Sequence, residues 1–212
     1  MNYKNLIIDN ILIYANKEEV IITIKNITEL PIYIYIRKDN IIINPKSIVE
    51  ISYKFDEVIN VEYEYNNKYY NHPVNLSKVN LNGFGENSIV VTNQGNKKIK
   101  DLKVNDIIIN NYGVLVRIKN IFLIKINKFD FNQPILIKKS SCGINIPDED
   151  FIISIKNDIH IKNIILKGRN LFLSKKAVYH KYNNEFIYYN LEIEDNSNFF
   201  VNGFSVRSFI QG

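Results

Sequence analysis

Few side chains of this 212-residue sequence could act as a nucleophile or a base, and they are dispersed along it. Cys142 and Ser88 are the candidate nucleophiles, and His160 and His180 are candidate bases. A thiol or hydroxyl needs an adjacent base or a lowered pKa before it attacks a substrate. No histidine is a sequence neighbour of Cys142 or Ser88. The sequence therefore predicts an ordinary loop or half-buried thiol at Cys142 and an exposed imidazole at His180.

The same residue types give no metal or phosphate site. Three scattered histidines and one cysteine offer no ligand pair with zinc spacing. The acidic stretch 147–150 could hold a hard cation weakly, but it is more typical of a solvated turn in which Asp150 caps the next strand. Gly83 and Gly85 are not followed by the helix and Lys-Ser/Thr pair of a phosphate loop. We expect no metal and no cofactor.

Composition indicates an ordinary globular chain, because 46% of its residues are hydrophobic and 23% are charged. Its net charge of +5 suggests nucleic-acid binding, but the basic residues are scattered and an AT-rich genome supplies lysine. The lone cysteine fits a reducing compartment. The sequence begins without a signal peptide and contains no long apolar stretch. We therefore expect a cytoplasmic or virion protein with no membrane span.

Alternating apolar and polar residues dominate the first third of the chain, which also has few helix formers. The chain contains 40 isoleucines but two alanines. Period-two alternation predicts half-buried strands, and it recurs at 20–25, 32–37, 48–53 and 61–65. Turn residues separate these runs. The pattern predicts an antiparallel, immunoglobulin-like β-sandwich of six or seven strands over residues 1–77.

A tyrosine-rich stretch at the end of this region has two interpretations. Together with His72, the side chains of Tyr63, Tyr65, Tyr69 and Tyr70 could form a binding face, because tyrosine gives wide contact at a small entropy cost. The simpler interpretation is that they are outward and rim residues of an edge strand. A proline breaks the alternation within 71–77, and a linker is predicted there.

The sequence changes character after Asn82, where a strand, a tight turn at 93–95 and a second strand are predicted. The pattern resembles the opening of a Hint domain, the hedgehog/intein self-processing fold. The matching positions there are Phe84, Ser88, Thr92, Gly95, Ile99, Leu102 and Asp106. Segments resembling the stand-alone bacterial Hint branch continue at 134–138, 147–154, 168–171, 189–193, 199–203 and 208–212. The resemblance covers 83–212 and implies a Hint-like β-domain over 78–212.

The positions that carry Hint chemistry are occupied by other residues. The family needs a nucleophile that attacks the preceding peptide bond and a histidine that protonates the leaving nitrogen. Gly83 and Asn157 stand at those two positions, and Ser197 and Ser208 stand where inteins carry a late histidine and a terminal asparagine. His160 lies an odd three residues beyond Asn157, on the opposite face of a strand. The resemblance thus implies a catalytically degenerate domain.

The sequence therefore predicts a two-domain, all-β protein with a structural or protein-interaction role. Its partners would be other proteins in a larger assembly, with no small-molecule substrate and no nucleic acid. Composition and fold together suggest a minor capsid or cement component of a large AT-rich DNA virus. The alternative is an active, self-cleaving Hint protein that uses atypical residues such as Ser88 or Cys142.

Overall fold

The computed structural model describes residues 6–14, 19–36, 39–54, 58–65, 68–75, 82–127, 132–161 and 164–208. Within these ranges the chain is built almost entirely of strands, with one short helix at Gly168–Leu173 (α1) and one 3-10 turn at Ile99–Asp101. The predicted all-β class is confirmed. In the described ranges, no helix is both long and apolar enough to cross a membrane.

Seven strands form the first part of the chain. They are β1 (Leu6–Tyr14), β2 (Glu19–Asn26), β3 (Ile32–Ile36), β4 (Asp39–Ile43), β5 (Ile48–Lys54), β6 (Val58–Tyr65) and β7 (Lys68–Asn75). β1, β2 and β5 are neighbours in one sheet, and β4, β3, β6 and β7 form a second sheet in that order. The alternating runs of the sequence therefore correspond to real strands.

The core of these strands consists of the residues that alternation assigns to one face. Ile22 and Ile24 of β2, Ile34 of β3 and Val61 of β6 are fully buried and belong to one hydrophobic cluster. Phe122, from the C-terminal half, completes that cluster. Residues of both sheets thus pack into one core; the immunoglobulin-like description stays a prediction.

Pro73 lies inside β7 and does not end it, so the predicted break in this stretch is wrong for residues 71–75. β7 pairs with β6 over its whole length, with Pro73 opposite Asn60. β7 is the last strand of its sheet, and an edge strand tolerates a residue without an N–H donor. Residues 76–81, the rest of the predicted linker, lie outside the described residues, and the division at 77/78 stays a prediction.

Twelve further strands follow. They are β8 (Ile89–Thr92), β9 (Gly95–Lys98), β10 (Ile107–Ile109), β11 (Leu115–Asn127), β12 (Pro134–Ile137), β13 (Phe151–Ser154), β14 (Asp158–Ile161), β15 (Ile164–Lys167), β16 (Ala177–Tyr179), β17 (Glu185–Ile193), β18 (Asn198–Val201) and β19 (Phe204–Arg207). β8 and β9 form the hairpin predicted around 93–95, and Gly95 has a φ of 97°. That left-handed conformation explains the glycine in the turn.

The longest of these strands, β11, links the two halves of the molecule. Along one edge it pairs with β10 and then, in parallel, with β1; along the other edge it pairs with β17. Ile118 and Ile121 belong to the core of the C-terminal half, whereas Phe122 belongs to the N-terminal core. The sheet is therefore continuous from the first strand of the chain to its last.

Candidate functional site

The segment 82–85 is held between two strands of the C-terminal half. The Phe84 N–H donates to the Tyr189 carbonyl at 2.9 Å, and the Tyr189 N–H donates back to Phe84 at 2.8 Å. The Gly85 N–H donates to the Ile152 carbonyl of β13 at 2.7 Å. The segment thus behaves as a short strand between β17 and β13, and the Asn82–Gly83 peptide bond lies within the fold.

Gly83 is packed so closely that no side chain fits. A Cβ built on Gly83 would lie 2.6 Å from the Tyr188 Cβ and 2.9 Å from the Tyr189 carbonyl oxygen. Both atoms are fixed by the β17 backbone, and Tyr188 is fully buried. Its hydroxyl donates to the Asn132 carbonyl at 2.7 Å, which anchors the ring. A cysteine or serine at residue 83 would therefore require β17 to move.

Asn157 contacts Gly83 directly. Its Nδ2 donates to the Gly83 carbonyl oxygen at 3.0 Å, and the Ser154 N–H donates to the same oxygen at 3.0 Å. The Asn157 carbonyl accepts from the Gly168 N–H at 2.7 Å, at the start of α1. Asn157 thus links the 82–85 segment, the turn after β13 and the helix.

Further amides surround the residue before Gly83. Asn190 Nδ2 donates to the Asn82 carbonyl at 3.1 Å, and Asn82 Nδ2 donates to the Lys156 carbonyl at 3.1 Å. The Ser154 hydroxyl is hydrogen-bonded to Asn132 Oδ1 and lies 3.4 Å from Asn82 Oδ1. We call this buried group the amide centre: Asn82, Asn132, Ser154, Asn157 and Asn190.

The members of the amide centre can hold a peptide bond through hydrogen bonds. Four carboxamides and one hydroxyl donate and accept hydrogen bonds, and none of them titrates near neutral pH. General acid catalysis of amide cleavage needs a group that can protonate the leaving nitrogen. The donor on the Asn82 carbonyl polarises that group, yet the adjacent Gly83 offers no nucleophile. The arrangement is chemically a clamp.

Both candidate nucleophiles lie outside the amide centre. Ser88 is buried at the start of β8, and its hydroxyl has no hydrogen-bond partner among the described residues. Cys142 is half-buried against the C-terminal core, and its Sγ lies 3.8 Å from the Ser141 hydroxyl. Neither residue is therefore hydrogen-bonded to a described base, and the prediction of an ordinary half-buried thiol agrees with the structure.

Among the described residues, neither the His160 nor the His180 side chain is hydrogen-bonded to a member of the amide centre. His160 of β14 is half-buried, whereas its neighbour Ile159 is buried; Asn157 lies before β14, so the predicted offset along one strand does not apply to this pair. His180 was expected to be exposed but is half-buried, because its ring contacts Phe186 edge-on at 5.7 Å. Desolvation lowers the pKa of His180. The side chain of His72 lies outside the described residues.

His180 borders a cavity of about 490 Å³, which Ser88 also lines. The carboxylates of Glu86, Asp150 and Glu185 lie on its walls. Each is paired with a lysine, at Nζ–carboxylate distances of 3.4, 2.8 and 2.6 Å respectively.

The two late positions of the resemblance have local structural roles. The Ser197 hydroxyl donates to Asp195 at 2.8 Å in an exposed turn. The Ser208 hydroxyl is buried; it accepts from the Ile193 N–H at 3.0 Å and is within 3.4 Å of the Leu191 carbonyl. Ser208 therefore holds the chain that follows β19 against the end of β17.

The acidic turn at 147–150 was expected to use Asp150 as a cap of the next strand, but Asp150 contacts the residues that follow β12 and not β13. Asp150 accepts from the Lys139 N–H at 2.7 Å and pairs with Lys138, and these contacts lower its pKa. Among the described residues, no three His, Cys, Asp or Glu side chains are grouped closely enough to hold a metal ion.

Sequence reasoning missed three members of the amide centre, Asn82, Asn132 and Asn190. They come from three separate segments, and the chain contains 33 asparagines. No spacing distinguishes these three asparagines from the others. Their burial is the signal that identifies them, because buried carboxamides must be hydrogen-bonded.

Comparison with known proteins gives matches in structure alone. No protein-family model matches the chain, and no curated protein matches its sequence. Among solved structures, the gp41-1 intein is similar, with a TM-score of 0.40 and 17% identity over 59% of this chain and 97% of the intein. The MchDnaB-1 intein (N145AA) has a TM-score of 0.40 and 9% identity over 59% of this chain and 98% of the intein.

The solved structures to which the chain is similar are inteins, the class that the sequence resemblance also names. TM-scores near 0.40 and identities of 9–17% transfer no residue equivalence, catalytic state or function to this chain. The chemistry of the site therefore has to be argued from its own contacts.

Proposed function

We propose that this protein is a non-catalytic structural or protein-interaction protein built on a degenerate Hint-like domain. The amide centre is the observation that carries the proposal. The sequence resemblance implies a thiol and an imidazole around the Asn82–Gly83 bond, and amides hold that bond here. A fold can serve as a rigid body for binding after its chemistry is lost, because function resides in particular sites.

Steric closure at Gly83 is the first support for this proposal. The atoms nearest to a Cβ added at residue 83 are the Tyr188 Cβ and the Tyr189 carbonyl oxygen, not the end of a flexible side chain. Close packing of this kind resists an added methyl group. The site is thus adapted to glycine rather than being a catalytic site with one altered residue.

The donor role of Asn157 is the second support. Its carboxamide donates to the Gly83 carbonyl and so fixes the chain in one position. A neutral carboxamide cannot act as a general acid near neutral pH. The same hydrogen bond therefore favours a structural function.

The alternative proposal is a self-cleaving protein that uses Ser88 or Cys142. It receives less support, because neither side chain is hydrogen-bonded to a base among the described residues. Nucleophilic catalysis by serine depends strongly on such a base.

Intact mass spectrometry of the purified chain separates the two proposals. We expect a single species near 24.9 kDa after prolonged incubation, with or without added thiol or hydroxylamine. Fragments ending at Asn82 and beginning at Gly83 would refute the non-catalytic proposal. Ser88→Ala and Cys142→Ala are the matched variants: loss of such fragments in one of them would assign the nucleophile.

A finer proposal concerns the assembly. An amino-acid composition typical of an AT-rich genome and small β-modules suit a minor capsid or cement protein of a large DNA virus. Copurification of the chain with purified particles at a fixed ratio is the expected result. Its absence from particles would end this finer proposal and leave the non-catalytic proposal standing.

A further inference from the structure

The outer face of the β4-β3-β6-β7 sheet carries tyrosines and glutamates in register. Across the four strands, Ile42 lies opposite Tyr33, Tyr33 opposite Glu64, and Glu64 opposite Tyr69. Tyr35 lies opposite Glu62 in the neighbouring row. We call this surface the tyrosine–glutamate face, formed by Tyr33, Tyr35, Ile42, Glu62, Glu64 and Tyr69.

The face is open to solvent, and it differs from the face that the sequence suggested. Tyr69 is 74% exposed, Ile42 is 59% exposed and Tyr33 is 46% exposed. Tyr63 is buried in the core, and Tyr70 stacks on it with ring centroids 4.9 Å apart. Of the four tyrosines grouped from the sequence, Tyr63, Tyr65 and Tyr70 therefore support the core, and Tyr69 belongs to the exposed face.

Among the described side chains, none balances the negative charge of the face by an ion pair. Neither Glu62 nor Glu64 forms an ion pair with a described lysine or arginine. The Tyr69 hydroxyl is hydrogen-bonded to Glu64, and this bond together with the charge of Glu64 raises the pKa of Tyr69. Residues 1–77 contain ten acidic and eight basic residues, whereas residues 78–212 contain twelve acidic and nineteen basic residues. The described side chains of the face thus carry negative charge, whereas the whole protein has a net charge of +5.

These groups together suit a cation with an extended stem. A lysine or arginine is attracted by a carboxylate and by the face of a tyrosine ring, and Glu64 has a tyrosine on each side. A neutral apolar partner would bury both carboxylates unpaired, which is costly. A phosphate-bearing partner would be repelled. Charge complementarity therefore selects a cationic protein segment.

We propose that the tyrosine–glutamate face docks a segment of a partner protein that presents lysine or arginine side chains. The proposal rests on the interaction role proposed above and names the surface and partner chemistry for it. Alternate residues of an extended segment point to the same side. The segment therefore needs a basic residue at every second position to meet both rows of the face.

Binding of a labelled eight-residue peptide of alternating lysine and threonine to the full chain tests the proposal. We expect fluorescence anisotropy to report saturable binding that weakens in high salt, because part of the attraction is between exposed charges. A peptide of alternating glutamate and threonine is the charge-reversed control and should not bind. Equal binding of both peptides, or of neither, would overturn the proposal.

Variants assign the binding to this face. Glu62→Gln with Glu64→Gln should weaken binding at least tenfold, and Tyr33→Ser with Tyr69→Ser should weaken it severalfold without changing the net charge. Glu50→Gln is the matched control, because Glu50 is exposed on β5 of the other sheet. Equal losses in the control and in the glutamate pair would indicate general charge attraction and refute the assignment.

Two further outcomes keep this proposal separate from the proposed function. Absence of peptide binding by a chain that stays at one mass would refute the docking face and leave the non-catalytic role intact. Cleavage at Asn82–Gly83 together with peptide binding would refute the non-catalytic role and leave the docking face intact. Sedimentation velocity can also reveal self-association of the chain. If the variant with Glu62→Gln and Glu64→Gln abolished it, the occupant of the face would be a second copy of the chain, and the assignment to another protein would be overturned.

Discussion

The N-terminal core and the amide centre are both buried, but they are held by opposite means. The first contains Ile22, Ile24, Ile34, Val61 and Phe122. Their hydrocarbon side chains stabilise the core through contact area and need no partner in a particular orientation. The second contains four carboxamides and one hydroxyl, each fixed by particular partners. Burial of hydrocarbon is proportional to area, whereas a buried amide is stable only with its hydrogen bonds made.

This difference shows where the molecule tolerates change. A hydrocarbon core accepts substitutions that keep volume. A polar centre fails when one partner is removed, because the other partner is left unsatisfied in a region without water. The two regions should therefore respond differently to truncation, to an added methyl group and to an added charge.

Truncation in the N-terminal core should have the largest effect. We expect Phe122→Ala to lower the free energy of unfolding by about 3–5 kcal/mol, as for other buried phenylalanines. Because Phe122 belongs to β11, the loss should appear in hydrogen exchange of both β3 and β13 amides. Tyr112→Ala, at a residue that is 78% exposed, is the control and should change stability by less than about 0.5 kcal/mol. Protection lost in β3 alone would show that the halves are not coupled.

An added methyl group at Gly83, next to the amide centre, should come next. Gly83→Ala is expected to destabilise the protein by about 2–3 kcal/mol, because its Cβ would overlap Tyr188 and the Tyr189 carbonyl. Denaturant unfolding measures this effect. Gly113→Asn is the control: Gly113 has a φ of 78°, which asparagine tolerates, and no described neighbour lies within 4 Å of a Cβ there. Equal stability of Gly83→Ala and wild type would contradict the closed site.

A charge in the amide centre is introduced by Asn157→Asp, which should lower the free energy of unfolding by about 2 kcal/mol at neutral pH. The substitution replaces a donor to the Gly83 carbonyl by an acceptor and leaves a carboxylate buried and unpaired. Its folded pKa should rise above the usual value near 3.9, and stability should be greatest below that value and fall as the pH rises. Asn93→Asp, in an exposed turn, is the control and should show no such pH dependence. A stability of Asn157→Asp that does not vary between pH 3 and 8 would argue against the clamp.

The smallest effect should come from His180, at the rim of the cavity. Desolvation lowers its pKa in the folded protein from the usual histidine value of 6.5. Below about pH 6.5 the unfolded chain therefore binds more protons at His180 than the folded protein does. The contribution of His180 to the free energy of unfolding is full above that pH and is lost as the pH falls through the pKa of the folded protein. NMR titration of the imidazole should give a value below 6.5. His180→Gln should flatten the dependence of the melting temperature on pH in this range.

The sequence predicts the first region better than the second, for a physical reason. Alternation is local, so a few residues such as 32–36 reveal a strand and its buried face. Pro73 is the exception: it suggests a break, and only the position of β7 at the sheet edge shows that the strand continues. Edge position depends on distant pairing and leaves no local pattern.

The amide centre depends on distant pairing throughout. Gly83 and Asn157 were singled out by the sequence resemblance alone, whereas Asn190 contacts Asn82 across 108 residues of sequence. His180 was misplaced for the same reason, since its burial comes from Phe186 in the following strand. Contacts of this kind appear only once the fold is known.

The parallel pairing of β1 with β11 has a consequence for biosynthesis. About a hundred residues separate the two strands, so the edge of β1 and the place of Phe122 stay vacant until β11 has left the ribosome. During that interval an isoleucine-rich strand edge is open to other nascent chains. Translation that pauses between β7 and β11 should therefore be the moment of greatest risk for aggregation of this protein.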